Sequence, residues 1–231
     1  MDWQVLIDYF PLMISGLWLT FKLTFLAVVI GLLIALPLTM MKLSRVTMLR
    51  LLSESIVFFF RGTPLLVQLF LIYYGSGQFR QTLDAIGLWS YFREAFFCAV
   101  LALSLNTAAY VTEIFAGAIK HVDKKQVEAG IALGLSKWIL YRIIVLPQAL
   151  RIAWNSYANE IIFIMQATSL VSIITLLDLT GVAGRVVSKT FAVYEIYSVV
   201  ALLYIAITYG LVFVFKRVEN YLQRHEKQSA L

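Results

Sequence analysis

The sequence predicts an all-α integral membrane protein with about five transmembrane helices, organised as a single domain over residues 1–231. Of its residues, 61% are hydrophobic and only 14% are charged, and the mean hydropathy is +0.85. Soluble domains are about half apolar and a quarter charged, so this composition excludes an ordinary soluble enzyme. In addition, five uncharged stretches of 17 to 20 residues separate the charges, about the length that an apolar helix needs to cross a bilayer.

The uncharged stretches give the approximate limits of the spans in chain order. The spans are predicted over residues 19–41, 55–75, 95–117, 157–177 and 196–216. A further apolar stretch, residues 138–158, is not counted because it contains Arg142, Pro147 and Arg151. We expect interfacial amphipathic helices in that stretch instead of a span.

The basic residues are distributed unevenly between the two sides of the membrane. Thirteen Lys and Arg residues fall in residues 42–54, in residues 118–156 and in the tail from residue 216, against four in the connections on the other side. The positive-inside rule places the first set in the cytoplasm, so the N-terminus is predicted outside and the C-terminus inside. Membrane orientation therefore explains the net charge of +6, and no nucleic acid partner is predicted.

Gly62 and Pro64 interrupt the second span. Pro64 has no backbone N–H to donate to the carbonyl of residue 60, so a kink is predicted there. The kink is either a fixed packing feature or a hinge, and both residues are hinge candidates. Arg61, near the cytoplasmic end of the span, is expected to extend to the lipid headgroups.

The third span carries three polar residues on one face. Asn106, Tyr110 and Glu113 are spaced i, i+4 and i+7, with Glu113 nearest the cytoplasmic end. Polar and ionisable groups are costly inside a bilayer and indicate functional sites, so these residues are candidates for a pathway through the helix bundle. Hydrogen bonds between helices explain Asn106 and Tyr110 equally well.

The longest predicted cytoplasmic loop, residues 120–156, has the most informative pattern. Small residues around Gly130 allow another surface to approach the backbone closely, and Gly134 suits the C-terminus of a short helix. Pro147 is expected to limit a second helix, so a short helix, a sharp turn and a second helix are predicted on the cytoplasmic face. The loop reads Glu128-Ala129-Gly130-Ile131-Ala132-Leu133-Gly134 and, nine residues later, Ile144-Val145-Leu146-Pro147.

This loop resembles the EAA motif of binding-protein-dependent ABC importer permeases, with Gly130 in place of the second Ala. Three other segments are similar to those of polar amino acid permeases, above all the arginine, histidine and ornithine/octopine importers: SGLWLTFKLT (15–24), FRGTPLLVQ (60–68) and NTAAYVTE (106–113). The resemblance implies the type I ABC importer permease fold and a multi-pass location in a bacterial inner membrane. It also implies that the loop forms a coupling helix that docks on a cytoplasmic ATPase. The coupling residues would be Glu128, Ala129, Gly130, Gly134, Ile144, Leu146 and Pro147.

The fourth span adds candidates for the pathway. We predict that Glu160, with Asn159 and Gln166, contributes to a pathway for a cationic side chain, because a carboxylate accepts charge-assisted hydrogen bonds. The alternative is that Glu160, at a predicted helix end, pairs with a loop Arg such as Arg151 or lies at the membrane interface. The pathway candidates of both spans are Asn106, Tyr110, Glu113, Asn159, Glu160, Gln166, Thr168 and Ser169.

The resemblance further implies the rest of a transporter for a polar amino acid of the arginine, histidine, lysine or ornithine type. We expect a second permease subunit, identical or different, two ABC ATPase subunits docked on the loop, and a solute-binding protein on the outer face. The chain has no Gly-x-x-x-x-Gly-Lys-Ser/Thr sequence, so ATP and Mg are expected on the ATPases. Neither a cofactor, a metal site nor an enzymatic activity is predicted for this chain, whose direct contacts would be its partners, the amino acid and membrane lipid.

A second class of protein stays open at this point. An ion-gradient-driven transporter or channel could use Glu113 and Glu160 as proton or cation sites. The EAA-like loop argues against this class, because a self-sufficient carrier has no ATPase to dock.

Overall fold

The computed structural model describes residues 3–229, most of them in helices. Four helical stretches are long and apolar enough to cross a membrane: Ile7–Lys42, Ala95–Lys120, Lys137–Ile174 and Val193–Leu222. A bent pair of helices supplies a fifth, which confirms the predicted all-α fold with about five spans. The α-helices are α1 (Trp3–Lys42), α2 (Thr47–Gly62), α3 (Leu65–Tyr73), α4 (Arg80–Ala85), α5 (Trp89–Phe92), α6 (Ala95–Lys120), α7 (Lys124–Ala132), α8 (Lys137–Leu140), α9 (Leu146–Ala167), α10 (Leu179–Thr190) and α11 (Val193–Ser229).

Helices α1, α6 and α9 form the centre of the bundle. Leu23 of α1, Leu103 of α6 and Ile164 of α9 are fully buried in one apolar cluster. A Cβ atom at Gly31 would lie 2.8 Å from a methyl carbon of Thr107, so the glycine lets α1 approach α6 closely. Close approach through small residues is how membrane helices gain packing contacts without a hydrophobic driving force.

The predicted second span is not one straight helix. Helix α2 ends at Gly62, α3 begins at Leu65, and the two stretches on either side of Thr63 and Pro64 meet at an angle of 103°. Helix α2 begins at Thr47, before the predicted limits of 55–75. The predicted kink is present, and it is a break instead of a gentle bend because Pro64 lacks the N–H that would continue the helix.

The predicted fourth span and the stretch before it are continuous. Helix α8 passes through a π-helical turn, Tyr141–Val145, directly into α9, and a 3₁₀-helix, Thr168–Ile174, follows. Pro147 therefore does not end a helix, and the separate interfacial helices expected over residues 138–158 are not present. Pro147 lies at the start of α9, just beyond the wide π turn, where the missing N–H does not interrupt the chain of hydrogen bonds.

Helix α10 lies in a connection that the sequence analysis treated as a loop. Asp178 caps it, because its side chain accepts hydrogen bonds from the backbone N–H groups of Thr180 and Gly181. Val182 and Val186 pack with Met13 of α1 in a second apolar cluster. Helix α1 is therefore longer than its predicted limits of 19–41, because its first turns pack against α10.

Candidate functional site

Helix α7 is a short helix with well-defined ends. At its start the side chain of Asp123 accepts a hydrogen bond from the N–H of Lys125 at 2.9 Å. At its end Gly134 has a φ of +77°, and the N–H groups of Gly134 and Leu135 donate to the carbonyls of Ile131 and Gly130. This is the Schellman pattern, which favours glycine because other residues are strained at positive φ. The turn predicted at Gly134 is confirmed.

The structure separates the coupling candidates into an exposed group and a supporting group. Glu128 and Ala129 are exposed on α7, beside the exposed apolar side chain of Leu133. Gly130 is buried, and a Cβ atom there would lie 2.5 Å from Leu140 and 2.9 Å from Ile144. Gly130 therefore allows α7 to pack closely against the helical stretch that leads into α9. This close packing is a structural reason for glycine where the EAA motif has its second alanine.

The remaining coupling candidates lie apart from that exposed face. Leu146 lines a groove between α9 and the end of α1, and Pro147 is exposed on the first turn of α9. A further link holds α7 to α9, because the amide of Gln148 donates to Gln126 at 2.6 Å. The loop thus presents a small surface of apolar and charged side chains, including Glu128, on α7, which is joined to a long helix that enters the bundle.

Asn106 stabilises the break between α2 and α3. The carbonyl of Phe60 has no partner at Pro64, and it accepts hydrogen bonds from Gln68 Nε2 at 2.7 Å and Asn106 Nδ2 at 3.2 Å. Gln68 also donates to the carbonyl of Thr63 at 3.0 Å and accepts from Asn106 at 3.1 Å. Gln68 is not among the residues predicted from the sequence. A polar residue four positions after a proline in a span could have indicated a side chain that satisfies the freed carbonyls.

Glu113 is paired with two cations from two other helix ends. Lys42 at the end of α1 and Arg61 at the end of α2 both contact Glu113 Oε2, Arg61 at 3.4 Å. Arg61 also lies over the ring of Tyr110, with its guanidinium carbon 5.3 Å from the ring centre. The expectation that Arg61 extends to the lipid headgroups is therefore wrong. The cluster lines a cavity of about 490 Å³ between α2 and α6.

Glu160 lies well inside α9 and is only 7% exposed, so its predicted place at a helix end is wrong. Ile164 shares a cluster with Leu103 of α6, and the ring of Tyr157 lies 5.7 Å from that of Phe115. The helices are therefore antiparallel, and Glu160 lies between these two contacts in depth.

Several buried polar atoms have no hydrogen-bond partner. Among the side chains of residues 7–222, Glu160 Oε1 on α9 is buried and accepts no hydrogen bond. On α6 the hydroxyl groups of Ser104 and Thr107 and the amide oxygen of Asn106 are also buried without a partner in that range, but Thr107 lies against Gly31 of α1 and Asn106 against Phe60. Buried polar atoms are normally satisfied, so the free oxygen of Glu160 has hydrogen-bonding capacity that a ligand could use.

The other candidates of α9 do not meet Glu160. Asn159 is exposed, and Gln166 is exposed and donates to Thr208 of α11 at 3.4 Å. Thr168 is buried and donates to the carbonyl of Met165 at 2.8 Å, while the carbonyl of Ser169 accepts from Ser172. The joint site of Glu160, Asn159 and Gln166 predicted from the sequence is therefore not formed within this chain. Gln166 faces α11 instead.

Known proteins share both the sequence and the fold. The family described as "binding-protein-dependent transport system inner membrane component" matches residues 27–228. The chain is 44% identical over 209 residues to the nopaline transport system permease protein NocM of Agrobacterium fabrum (strain C58 / ATCC 33970), covering 90% of this chain and 87% of that protein. It is 38% identical over 216 residues to the histidine/lysine/arginine/ornithine transport system permease protein HisM of Escherichia coli (strain K12), covering 94% of this chain and 91% of that protein.

A solved structure, described as an amino acid ABC transporter with histidines, has a TM-score of 0.85 at 37% identity. It covers 96% of this chain, and the match covers 99% of that chain. These matches extend over nearly the whole length of the proteins compared, so they include the membrane helices and the loop around α7. The chain belongs to the binding-protein-dependent transport system inner membrane component family, as a multi-pass permease subunit of an ABC transporter whose ATPase is a separate chain.

Proposed function

We propose that this chain is one of two permease subunits of an ABC importer for a basic amino acid of the arginine, histidine, lysine or ornithine type. The observation that carries the proposal is the buried, unpartnered carboxylate oxygen of Glu160 on a helix that continues from the coupling loop. The name of HisM supports a basic substrate, since that protein belongs to a histidine/lysine/arginine/ornithine transport system, whereas NocM belongs to a nopaline transport system.

Glu160 has the chemistry to receive a guanidinium or ammonium group. Cationic donors form short, strong hydrogen bonds with a carboxylate, and these bonds strengthen away from water. Arg61 and Lys42 form their ion pairs with Glu113, and among the side chains of residues 7–222 Glu160 Oε1 accepts no hydrogen bond. The substrate's own cation can supply the missing charge during passage.

The path of coupling follows from the packing of α7. Two ATPases would dock on the exposed face around Glu128 and Ala129 and, on binding ATP and Mg, would move α7. Gly130 transmits that movement to Leu140 and Ile144, which lie on the continuous stretch leading to Glu160. A rigid helix moved at one end shifts at its other end, which is how the carboxylate would change its exposure to the two sides.

The proposed orientation places α7 and the C-terminal end of α11 in the cytoplasm and the N-terminus outside. Positive-inside counting supports it, because α7 lies in the most Lys- and Arg-rich connection. A second permease subunit would complete the pathway, and a solute-binding protein would deliver the substrate from the outer face. Only 6% of the most apolar part of α11 is buried within the chain, so this helix has an exposed surface that could contact lipid or a second permease.

Uptake of labelled arginine into proteoliposomes with the assembled transporter tests the proposal. The complex is reconstituted with its ATPases facing a lumen that contains ATP, and the solute-binding protein is added outside. Lysine, histidine, glutamine and glutamate are offered outside as competitors. We expect uptake that requires ATP and is blocked by the cationic competitors alone. Uptake that follows an ion gradient without ATP would establish the carrier alternative, and inhibition by glutamine or glutamate would refute the basic substrate.

The docking face has its own test. Glu128→Arg places a cation where the exposed carboxylate lies, and we expect loss of ATP-dependent uptake while the solute-binding protein keeps its affinity for substrate. Lys125→Ala is a suitable control, because Lys125 is exposed on the first turn of α7 outside the motif. Full uptake by Glu128→Arg would refute docking at this face.

A further inference from the structure

An apolar groove of about 730 Å³ lies where the end of α1 meets the stretch from α8 to α9. One wall is formed by Leu36 and Met40 of α1, and the other by Leu150 of α9, with Phe115 of α6 at its base. The volume is in the range of sites that bind small molecules. Among the described residues that line the groove, Lys137 is the only charged one.

The groove adjoins an exposed apolar face of α1. Leu36 is 47% exposed and Met40 is 75% exposed, and they continue the stripe that Leu33 begins on the same face of α1. A membrane-spanning helix that exposes leucine and methionine along one face presents that face to lipid or to another apolar helix. An acyl chain can therefore enter the groove sideways from the membrane.

The rim of the groove has the composition of a headgroup site. Trp138 and Tyr141 stand beside Lys137 on the same segment, and all three side chains are exposed. Tryptophan and tyrosine are enriched at the level of lipid headgroups, and lysine supplies a cation for a phosphate. Basic pockets between helices on the cytoplasmic side of membrane proteins bind anionic headgroups.

We propose that the groove binds one anionic phospholipid, with an acyl chain along Leu36, Met40 and Leu150 and the phosphate on Lys137. Charge complementarity favours lipid over a protein occupant, because an apolar trough with a single cation at its interfacial end matches the two parts of a phospholipid. Bound lipid would fill the space between α1 and the helix that carries the coupling loop. The proposal does not depend on which amino acid is transported.

Photolabelling of the assembled transporter in proteoliposomes tests this site. The probes are phosphatidylglycerol and phosphatidylcholine, each with a diazirine on one acyl chain, and labelled peptides are identified by mass spectrometry. We expect phosphatidylglycerol to label residues 36–43 and 138–150 preferentially. Lys137→Gln should lower that labelling about fivefold, the effect of losing one cation near an anionic surface, without changing the phosphatidylcholine signal.

Two matched variants and two outcomes make the test decisive. Lys137→Arg keeps the cation and should keep the labelling, and so should Arg142→Gln, which removes an exposed cation from the same segment outside the groove. Equal labelling by both lipids, unchanged in Lys137→Gln, would overturn the site. Absent labelling, together with crosslinks from the variant Met40→Cys to another subunit, would show that a protein fills the groove.

Discussion

Two carboxylates of the helix bundle, Glu113 and Glu160, differ in whether other side chains pair with them. Glu113 of α6 contacts Lys42 and Arg61. This cluster of charges links the ends of α1 and α2 to α6. Glu160 is more deeply buried, and its Oε1 has no partner within residues 3–229. A carboxylate with cationic partners costs less to keep away from water than one without a partner, and an ionisable group left without a partner in a membrane protein indicates a functional site.

Under the proposed function, the difference favours Glu160 over Glu113 as the residue that receives the substrate cation. A cation that approached Glu113 would have to displace one of two cations already in place. At Glu160 the same cation would meet an oxygen that has no hydrogen-bond partner among the side chains of residues 7–222. The sequence alone treats the two residues alike, since both are single acidic residues in predicted spans.

The largest effect is expected for Glu160→Gln. The amide keeps the shape and removes the charge, so charge-assisted hydrogen bonds to a cationic substrate are lost, and we expect ATP-dependent arginine uptake to fall by about tenfold or more. Assembly should be unaffected, which size-exclusion chromatography of the complex checks. Glu160→Asp keeps the charge and should retain part of the uptake. Uptake kinetics equal to the unmodified protein would remove Glu160 from the pathway.

A smaller effect is expected at the break beside the Glu113 cluster. Gln68→Leu removes the side-chain donor to the carbonyl of Thr63 and one of two side-chain donors to the carbonyl of Phe60, which keeps Asn106. A lost hydrogen bond of this kind costs about 1 kcal/mol, so the melting temperature of the purified complex should fall. Gln81→Leu is a suitable control, because Gln81 is exposed on α4. An unchanged melting temperature would show that water or a lipid headgroup satisfies these carbonyls equally well.

The spans and the coupling helix could be predicted from the sequence because they depend on local pattern. Charge-free stretches near 20 residues predict membrane helices, and a glycine after a short helical pattern predicts the turn at Gly134. The break at Pro64 is predicted for the same reason, since the missing N–H is a property of one residue.

The remaining features depend on contacts between distant segments. Helix α10 has no long uncharged stretch, and its apolar face becomes significant only against Met13 of α1. The continuity of α8 and α9 depends on a π turn before Pro147, which a rule that ends helices at proline does not foresee. Arg61 pairs with Glu113 only because the ends of α1 and α2 meet α6. The position of Arg61 near the end of one span could not show this, so the sequence wrongly predicted a contact with lipid headgroups.

The smallest effect is expected from neutralising the paired carboxylate. Glu113→Gln leaves Lys42 and Arg61 without their shared counter-charge. The side chains of Glu113 and Arg61 are 39% and 41% exposed, so solvent screens the loss at Arg61, and it screens less of the loss at Lys42, which is 11% exposed. We expect about 1 kcal/mol of destabilisation, measured as the melting temperature of the complex, with arginine uptake reduced far less than in Glu160→Gln. The double variant Lys42→Gln/Glu113→Gln should lose less than the sum of the two single variants, because each single change leaves an unpaired charge that the double change removes. Additive losses would mean that the two side chains do not interact in the membrane. A loss of uptake as large as that of Glu160→Gln, without destabilisation, would place Glu113 in the pathway and erase the distinction between the two carboxylates.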